Sequence, residues 1–167
     1  LELVKLEKQQ QPDHAVSFEL APFLQQIHND CCSNLQRRRL QLVWQLQAPP
    51  NQQGFADLLL LRHALANLID NAADFSPPDS TITLTVYQDR YHQLVFEVQD
   101  QGSGIPDYAL DKVTQRFYSL PRPNGQRSSG LGLSFVAEVA KLHKGQFSIG
   151  NRAGGGCCAR LILPALV

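Results

Sequence analysis

A chain of 167 residues with 43% hydrophobic and 18% charged residues has the composition of one soluble globular domain. Fifteen lysines and arginines balance fifteen aspartates and glutamates, so net charge recommends neither nucleic acid nor an acidic membrane surface as a partner. No apolar run approaches the roughly 20 residues that cross a bilayer, and residues 1–11 lack the basic-then-apolar order of a signal peptide. The four cysteines fall in two adjacent pairs, Cys31-Cys32 and Cys157-Cys158, a spacing of neither zinc knuckles nor redox motifs, and read as reduced core residues.

Leu1, Val4 and Leu6 among Glu and Lys read as the last turns of a helix, ended by the polar run before Pro12. Ser17 to Leu20 suits a short strand. From Pro22, residues Phe23, Ile27, Cys31 and Leu35 recur at helical spacing, and Arg37, Arg38 and Arg39 near the C-terminal end suit the helix dipole better than a basic patch. Residues 40–46 alternate as a half-buried strand until Pro49-Pro50-Asn51 breaks the pattern. A long helix is expected from an N-cap at Asp57 to Phe75, where Ser76-Pro77-Pro78 stops it. Ile82, Leu84 and Val86, then Leu94, Phe96 and Val98, mark a hairpin turning near Asp89-Arg90.

A glycine-rich loop over 100–106 leads into residues 107–129, rich in Pro, Gly, Arg and Ser, without a period and expected to be mobile. A helix over 131–144 ends at Gly145, and strands over 146–150 and 157–163 flank Gly154-Gly155-Gly156. This order predicts an α/β (α+β) two-layer sandwich. Its mixed, mainly antiparallel sheet of about five strands would be covered on one face by about three helices.

Three stretches carry chemistry. Asn67 and Asn71 lie four apart on one face of the long helix, while Leu65, Leu68, Ile69 and Ala72 turn to the core. Asp100 opens the run Asp100-Gln101-Gly102-Ser103-Gly104-Ile105-Pro106, where glycines admit a ligand close to the backbone and a carboxylate can accept hydrogen bonds. Ser128-Ser129-Gly130-Leu131-Gly132-Leu133 opens the last helix, where bare backbone N–H groups make a ready anion site.

In this order and spacing, the stretches resemble the boxes of bacterial sensor histidine kinases, whose catalytic domain has the GHKL, or Bergerat, ATP-binding fold. His63 to Ser76 resembles the asparagine box and residues 100–106 the first glycine box. Arg116-Phe117-Tyr118 resembles part of the phenylalanine box, and Gly130-Leu131-Gly132-Leu133 the second glycine box. The resemblance implies ATP and Mg²⁺ as ligands. Asp100 would accept the adenine amino group, Phe75 and Ile105 would pack on the base, and Gly102 and Gly104 would keep side chains out of its way. Asn71, with Asn67 beside it, would hold Mg²⁺. Ser129 to Leu133 would present N–H groups to the phosphates, and residues 107–129, with Phe117, Tyr118 and Arg122, would form a mobile ATP lid.

The resemblance further implies that residues 1–12 are the end of the second dimerisation helix and a linker, with the catalytic domain over 13–167. The phosphoacceptor histidine, dimerisation helices and transmembrane and sensory parts would lie upstream, because none of His14, His28, His63, His92 and His143 has a phosphoacceptor context. The implied partners are that upstream domain and a response regulator, not nucleic acid. The implied setting is the cytoplasmic side of a bacterial inner membrane, with the isolated piece monomeric and the whole protein a homodimer.

Departures from the pattern fall at the phosphate end. A cation is usual at the position of Asp74, where an anion would repel the triphosphate, and Ser119 stands where the phenylalanine box places an arginine. Arg116, Arg122 or Arg127 could compensate. A degenerate module acting by domain docking is one alternative. An ATPase of the same fold is another, disfavoured because Asn67 stands where those enzymes have a glutamate base.

Overall fold

The computed structural model describes residues 2–49, 51–122 and 130–165. Its elements run α1 (Glu2–Glu7), β1 (Ala15–Glu19), α2 (Leu20–Arg37), β2 (Gln41–Leu46), β3 (Gln53–Asp57), α3 (Leu58–Phe75), β4 (Thr81–Gln88), β5 (Leu94–Gln99), α4 (Gly132–Leu142), β6 (Gln146–Asn151) and β7 (Cys157–Leu163). Five strands form one sheet in the order β2-β4-β5-β7-β6. Only β2 and β4 pair in parallel, as strands joined through a crossover helix do, and here that helix is α3.

Helix α3 follows from its capping and its apolar stripe. The Asp57 carboxylate accepts from the Leu60 N–H at 3.3 Å, and Leu61, Ala64, Leu65, Leu68, Ile69, Ala72 and Ala73 are buried at helical spacing. That stripe packs with Leu20, Leu24 and Ile27 of α2, with Val136 and Val139 of α4, and with the inner sheet residues Ile82, Leu84, Phe96 and Leu161 in one core. The expected two-layer sandwich is therefore present, with α2, α3 and α4 on one face of the sheet.

Two elements differ from expectation. Residues 53–57, with their glycine, carry no strand signal, yet β3 pairs antiparallel with β1 as a separate two-stranded ribbon. The Phe18 ring fills the place of a side chain at Gly54, where a Cβ would lie 2.3 Å from the ring. Leu20 belongs to α2 rather than to the strand before it, and Pro22 sits in the first helical turn, where its missing N–H has no partner to lose.

Strand β5 also departs from simple alternation, because Leu94 through Val98 are all buried at the centre of the sheet. Its one buried charge, Glu97, is satisfied by Arg160 Nε at 2.7 Å, Gln99 Nε2 at 2.8 Å and the Tyr87 hydroxyl at 3.3 Å. At the hairpin turn, Asp89 Oδ1 accepts from the N–H groups of Tyr91 and Gln93, each at 2.9 Å.

Helix α1 shares the common core through Leu3 and Leu6 and lies along α4. The expected lid begins as anchored turns. Residues Asp107–Ala109 form a single 3-10 turn, Ala109 and Val113 are buried, and the Thr114 carbonyl accepts from the Ser134 hydroxyl at 3.1 Å. Arg116 pairs with Glu7 of α1.

Candidate functional site

Asp100 leaves β5 and is fastened at once to the start of β7. Its N–H donates to the Cys157 carbonyl at 3.0 Å, and its Oδ1 accepts from Gly102 N–H at 2.9 Å and Cys157 N–H at 3.0 Å. The fold thus engages one carboxylate oxygen twice, whereas Oδ2 takes no hydrogen bond from the described residues. The side chain is buried, with 4% of its surface exposed. Burial pushes its carboxyl above the ordinary range, against the opposing pull of the two N–H groups and of Arg152.

The loop after Asp100 is held from outside by the β6–β7 turn. The Asn151 side chain accepts from Ile105 N–H at 2.6 Å and donates to Ile105 O at 2.8 Å, and Arg152 donates to Asp100 O at 2.7 Å. Gly104 adopts φ +80, a left-handed conformation that favours glycine. Gly102 is required for another reason than expected: a Cβ there would lie 2.4 Å from the Phe75 carbonyl oxygen, so it makes room for helix α3 rather than for a ligand.

A cavity of about 230 Å³ opens beside Asp100. Of the residues singled out from the sequence, Asn67, Asn71, Asp74, Phe75, Asp100, Gly104, Ile105, Tyr118, Arg122, Gly130, Gly132 and Leu133 line it. Gly102, Phe117 and Leu131 do not. Phe117 has φ 67 and a ring 71% exposed, because its N–H bonds the Gly130 carbonyl at 2.9 Å and turns the side chain outward. Leu131 packs on the core at the entry to α4. Ser129, like Arg127, lies outside the described residues.

Sequence reasoning did not single out Asp70, Val113, Leu120, Ile149 and Cys157 as lining residues, whereas Ser119, read from the sequence at the phosphate end, lines the cavity as well. Asp70 had a readable signal, since it shares the helical stripe of Asn67, Asn71 and Asp74. Cys157 sits at the cavity floor beside Asp100, and burial pushes its thiol up to about 12.

The charge at Asp74 is where the structure corrects the sequence most. Asp74 is flanked by two arginines: Arg38 Nη2 lies 2.9 Å from Oδ1 and Arg122 Nε 3.1 Å from Oδ2. Arg38 therefore makes a specific contact at the site rather than only complementing a helix end. Arg122 lies over the Phe75 ring, 4.7 Å from its centroid, and its Nη1 donates to Leu120 O at 2.9 Å and Ser119 Oγ at 3.2 Å. Its Nη2 is 3.5 Å from Asn71 Oδ1.

Asn67, Asp70, Asn71 and Asp74 line the cavity as one oxygen-bearing row on α3, with both Asp74 oxygens engaged by arginines. Among the described residues no cluster of three His, Cys, Asp or Glu side chains could cage a metal ion. The row suits a hard cation that takes its remaining ligands from a bound phosphate and water. Above it, α4 begins at Gly132 with first-turn N–H groups that have no intrahelical acceptor.

Residues 56–167 match the family model of histidine kinase-, DNA gyrase B-, and HSP90-like ATPases. The sensor protein CreC of Escherichia coli (strain K12) is 54% identical over 108 residues, 65% of this chain and 23% of that protein. The sensor protein QseC of the same strain is 41% identical over 105 residues, 62% of this chain and 22% of that protein. The chain thus spans under a quarter of these relatives. Among solved structures, the catalytic domain of histidine kinase ThkA superposes with a TM-score of 0.78 at 18% identity, covering 90% of this chain and 97% of that one. The cytoplasmic segment of histidine kinase QseC gives 0.71 at 24% identity, covering 99% and 89%. Among the described residues, no helix is long and apolar enough to cross a membrane. With most of its length inside the family model and its fold that of histidine kinase catalytic domains, the chain belongs to the histidine kinase-, DNA gyrase B-, and HSP90-like ATPase family.

Proposed function

We propose that this domain binds Mg-ATP and donates the γ-phosphoryl group to a histidine on a separate helical dimerisation domain, for relay to a response regulator. The observation that carries this reading is the pairing of Asp100, one carboxylate oxygen engaged by the fold and the other left for a ligand, with the oxygen row of α3 in the same cavity.

Asp100 Oδ2 accepts the exocyclic amino group of adenine. A purine with an oxygen at that position would set acceptor against acceptor in a buried place, which supplies discrimination. Ile105, Val113 and Ile149 give the cavity apolar walls and exclude water from the base. Asn71, with Asn67 beside it, would hold Mg²⁺. When bound, that ion would offset phosphate charge and orient the chain of phosphates. The N–H groups at the start of α4 receive phosphate oxygens. Asn67 offers a carboxamide where a proton acceptor would be needed to activate water, so transfer to a positioned histidine is favoured over hydrolysis.

Helix α1 and the linker after it, residues 1–12, extend on this reading from an upstream dimerisation helix. The domain then stands on the cytoplasmic side of an inner-membrane sensor, monomeric alone and dimeric in the whole protein. A degenerate docking module is the second reading, supported by the anion at position 74 and by Ser119 in a place expected to hold a cation.

Calorimetric titration with ATP and ADP, with and without Mg²⁺, separates the two: the kinase reading expects binding strengthened by Mg²⁺, and no binding at millimolar nucleotide sinks it. In the whole protein, labelled phosphate should appear on histidine and vanish in Asn71→Ala and Asp100→Asn.

A further inference from the structure

A family cation normally stands on the helix at position 74, and this chain has a carboxylate there. We infer that Asp74 is a positioning residue which aims a cation borne on the lid segment, Arg122, at the phosphate end of the cavity. The inference rests on the proposed ATP site and deepens it.

The geometry assigns each atom of the cluster a separate task. Arg38, at the C-terminal end of α2, fixes Asp74 Oδ1 at 2.9 Å, so one carboxylate oxygen is held independently of residues 119–122. Its second oxygen takes Arg122 Nε at 3.1 Å. The Phe75 ring supports one face of the guanidinium, and Nη1 is spent on Leu120 O and Ser119 Oγ. What remains is Nη2, which carries two of the five guanidinium N–H donors. At 3.5 Å its contact to Asn71 Oδ1 is long for a hydrogen bond.

Arg122 is therefore a guanidinium only 10% exposed, clamped on three sides, with its least engaged donors beside the residue that holds the metal. A planar fork of this kind matches the oxygens of a phosphate. Net charge alone would not select it, because Asp70 adds a second carboxylate to the row. The directed donors do. Placing the cation on residues 119–122 rather than on α3 also ties phosphate binding to the seating of that segment.

The test compares dissociation constants for ATP and for adenosine, which shares the base and lacks the phosphates. In the unaltered domain ATP binds more tightly than adenosine. Arg122→Gln and Asp74→Asn each reduce that preference about tenfold, the loss of one well-placed charged contact. Arg122→Lys restores part of it, Asp74→Glu retains most of it, and the double variant Asp74→Asn/Arg122→Gln is no worse than the weaker single one, because Asp74 acts through Arg122.

The inference is overturned if Asp74→Asn tightens ATP binding, as simple relief of repulsion would. It is equally overturned if Arg122→Gln leaves the preference unchanged, or if adenosine affinity falls in parallel, which would identify a structural strut. Adenosine binding that persists without an Arg122 effect sinks this inference alone. Failure of both ligands to bind the unaltered domain sinks the ATP site with it.

Discussion

Asp100 and Cys157 exchange two backbone-directed hydrogen bonds, Asp100 N–H to Cys157 O and Cys157 N–H to Asp100 Oδ1, each at 3.0 Å. A strand end and a strand start, far apart in the chain, are thereby locked as one wall of the cavity, and the carboxylate is held with one oxygen to spare.

Replacing that carboxylate separates function from stability. Burial raises the Asp100 carboxyl in the folded state, so this group favours folding below the ordinary carboxylate range and loses that contribution as pH rises through its raised folded value. Asp100→Asn should melt at a higher temperature than the parent domain at pH 7, with the difference vanishing near about pH 3. The same variant should lose ATP affinity by tenfold or more, about 1.4 kcal/mol, because an amide N–H would face the adenine amino group. Thermal melts across pH and a calorimetric titration check the two halves.

Gly102→Ala tests the close approach of two backbones. Its Cβ would meet the Phe75 carbonyl oxygen at 2.4 Å, and neither α3 nor the loop tied by Asn151 can yield cheaply. A loss of about 1–3 kcal/mol in urea unfolding is expected, together with weaker ATP binding.

His143 joins the end of α4 to the start of α3: its Nε2 accepts the Asp57 N–H at 3.0 Å and its Nδ1 lies 2.8 Å from Val139 O. Accepting at Nε2 requires the tautomer protonated on Nδ1. His143→Leu preserves bulk and leaves a buried N–H without an acceptor, so it should destabilise by about 1–3 kcal/mol. An unchanged urea midpoint would show that the bond carries no weight.

Thiol labelling at pH 8 should leave Cys157 unmodified in the native domain. Burial pushes its thiol up to about 12, so it stays protonated and unreactive. Mass spectrometry after a short pulse of reagent should find Cys157 modified only once denaturant is present.

Much of this was legible because periodicity and capping reflect forces local to each element. Asp57 announces α3, the stripe from Leu61 to Ala73 announces its buried face, and alternation in β4 announces the hairpin. The cavity wall formed by Asp100, Gly104 and Ile105 could be read because Asp100 and its loop are contiguous in sequence. Three things were not legible. Strand β3 forms through its partner β1 and through Phe18 filling the space at Gly54, neither of which leaves a local trace. Position 74 looked repulsive because its compensation comes from Arg38, 36 residues earlier, and Arg122, 48 residues later. Phe117 looked like a pocket residue by motif, but a bond to Gly130 turns it away.

The clamp of the β6–β7 turn on the loop after Asp100 has a consequence for synthesis. Chains emerge N-terminus first, so helix α3 is complete long before Asn151, Arg152 and Cys157 exist to hold the loop after Asp100. A nascent or truncated chain lacking the closing hairpin has α3 without the partners that hold the loop after Asp100. The cavity wall at Asp100 is therefore set only when the last two strands are in place.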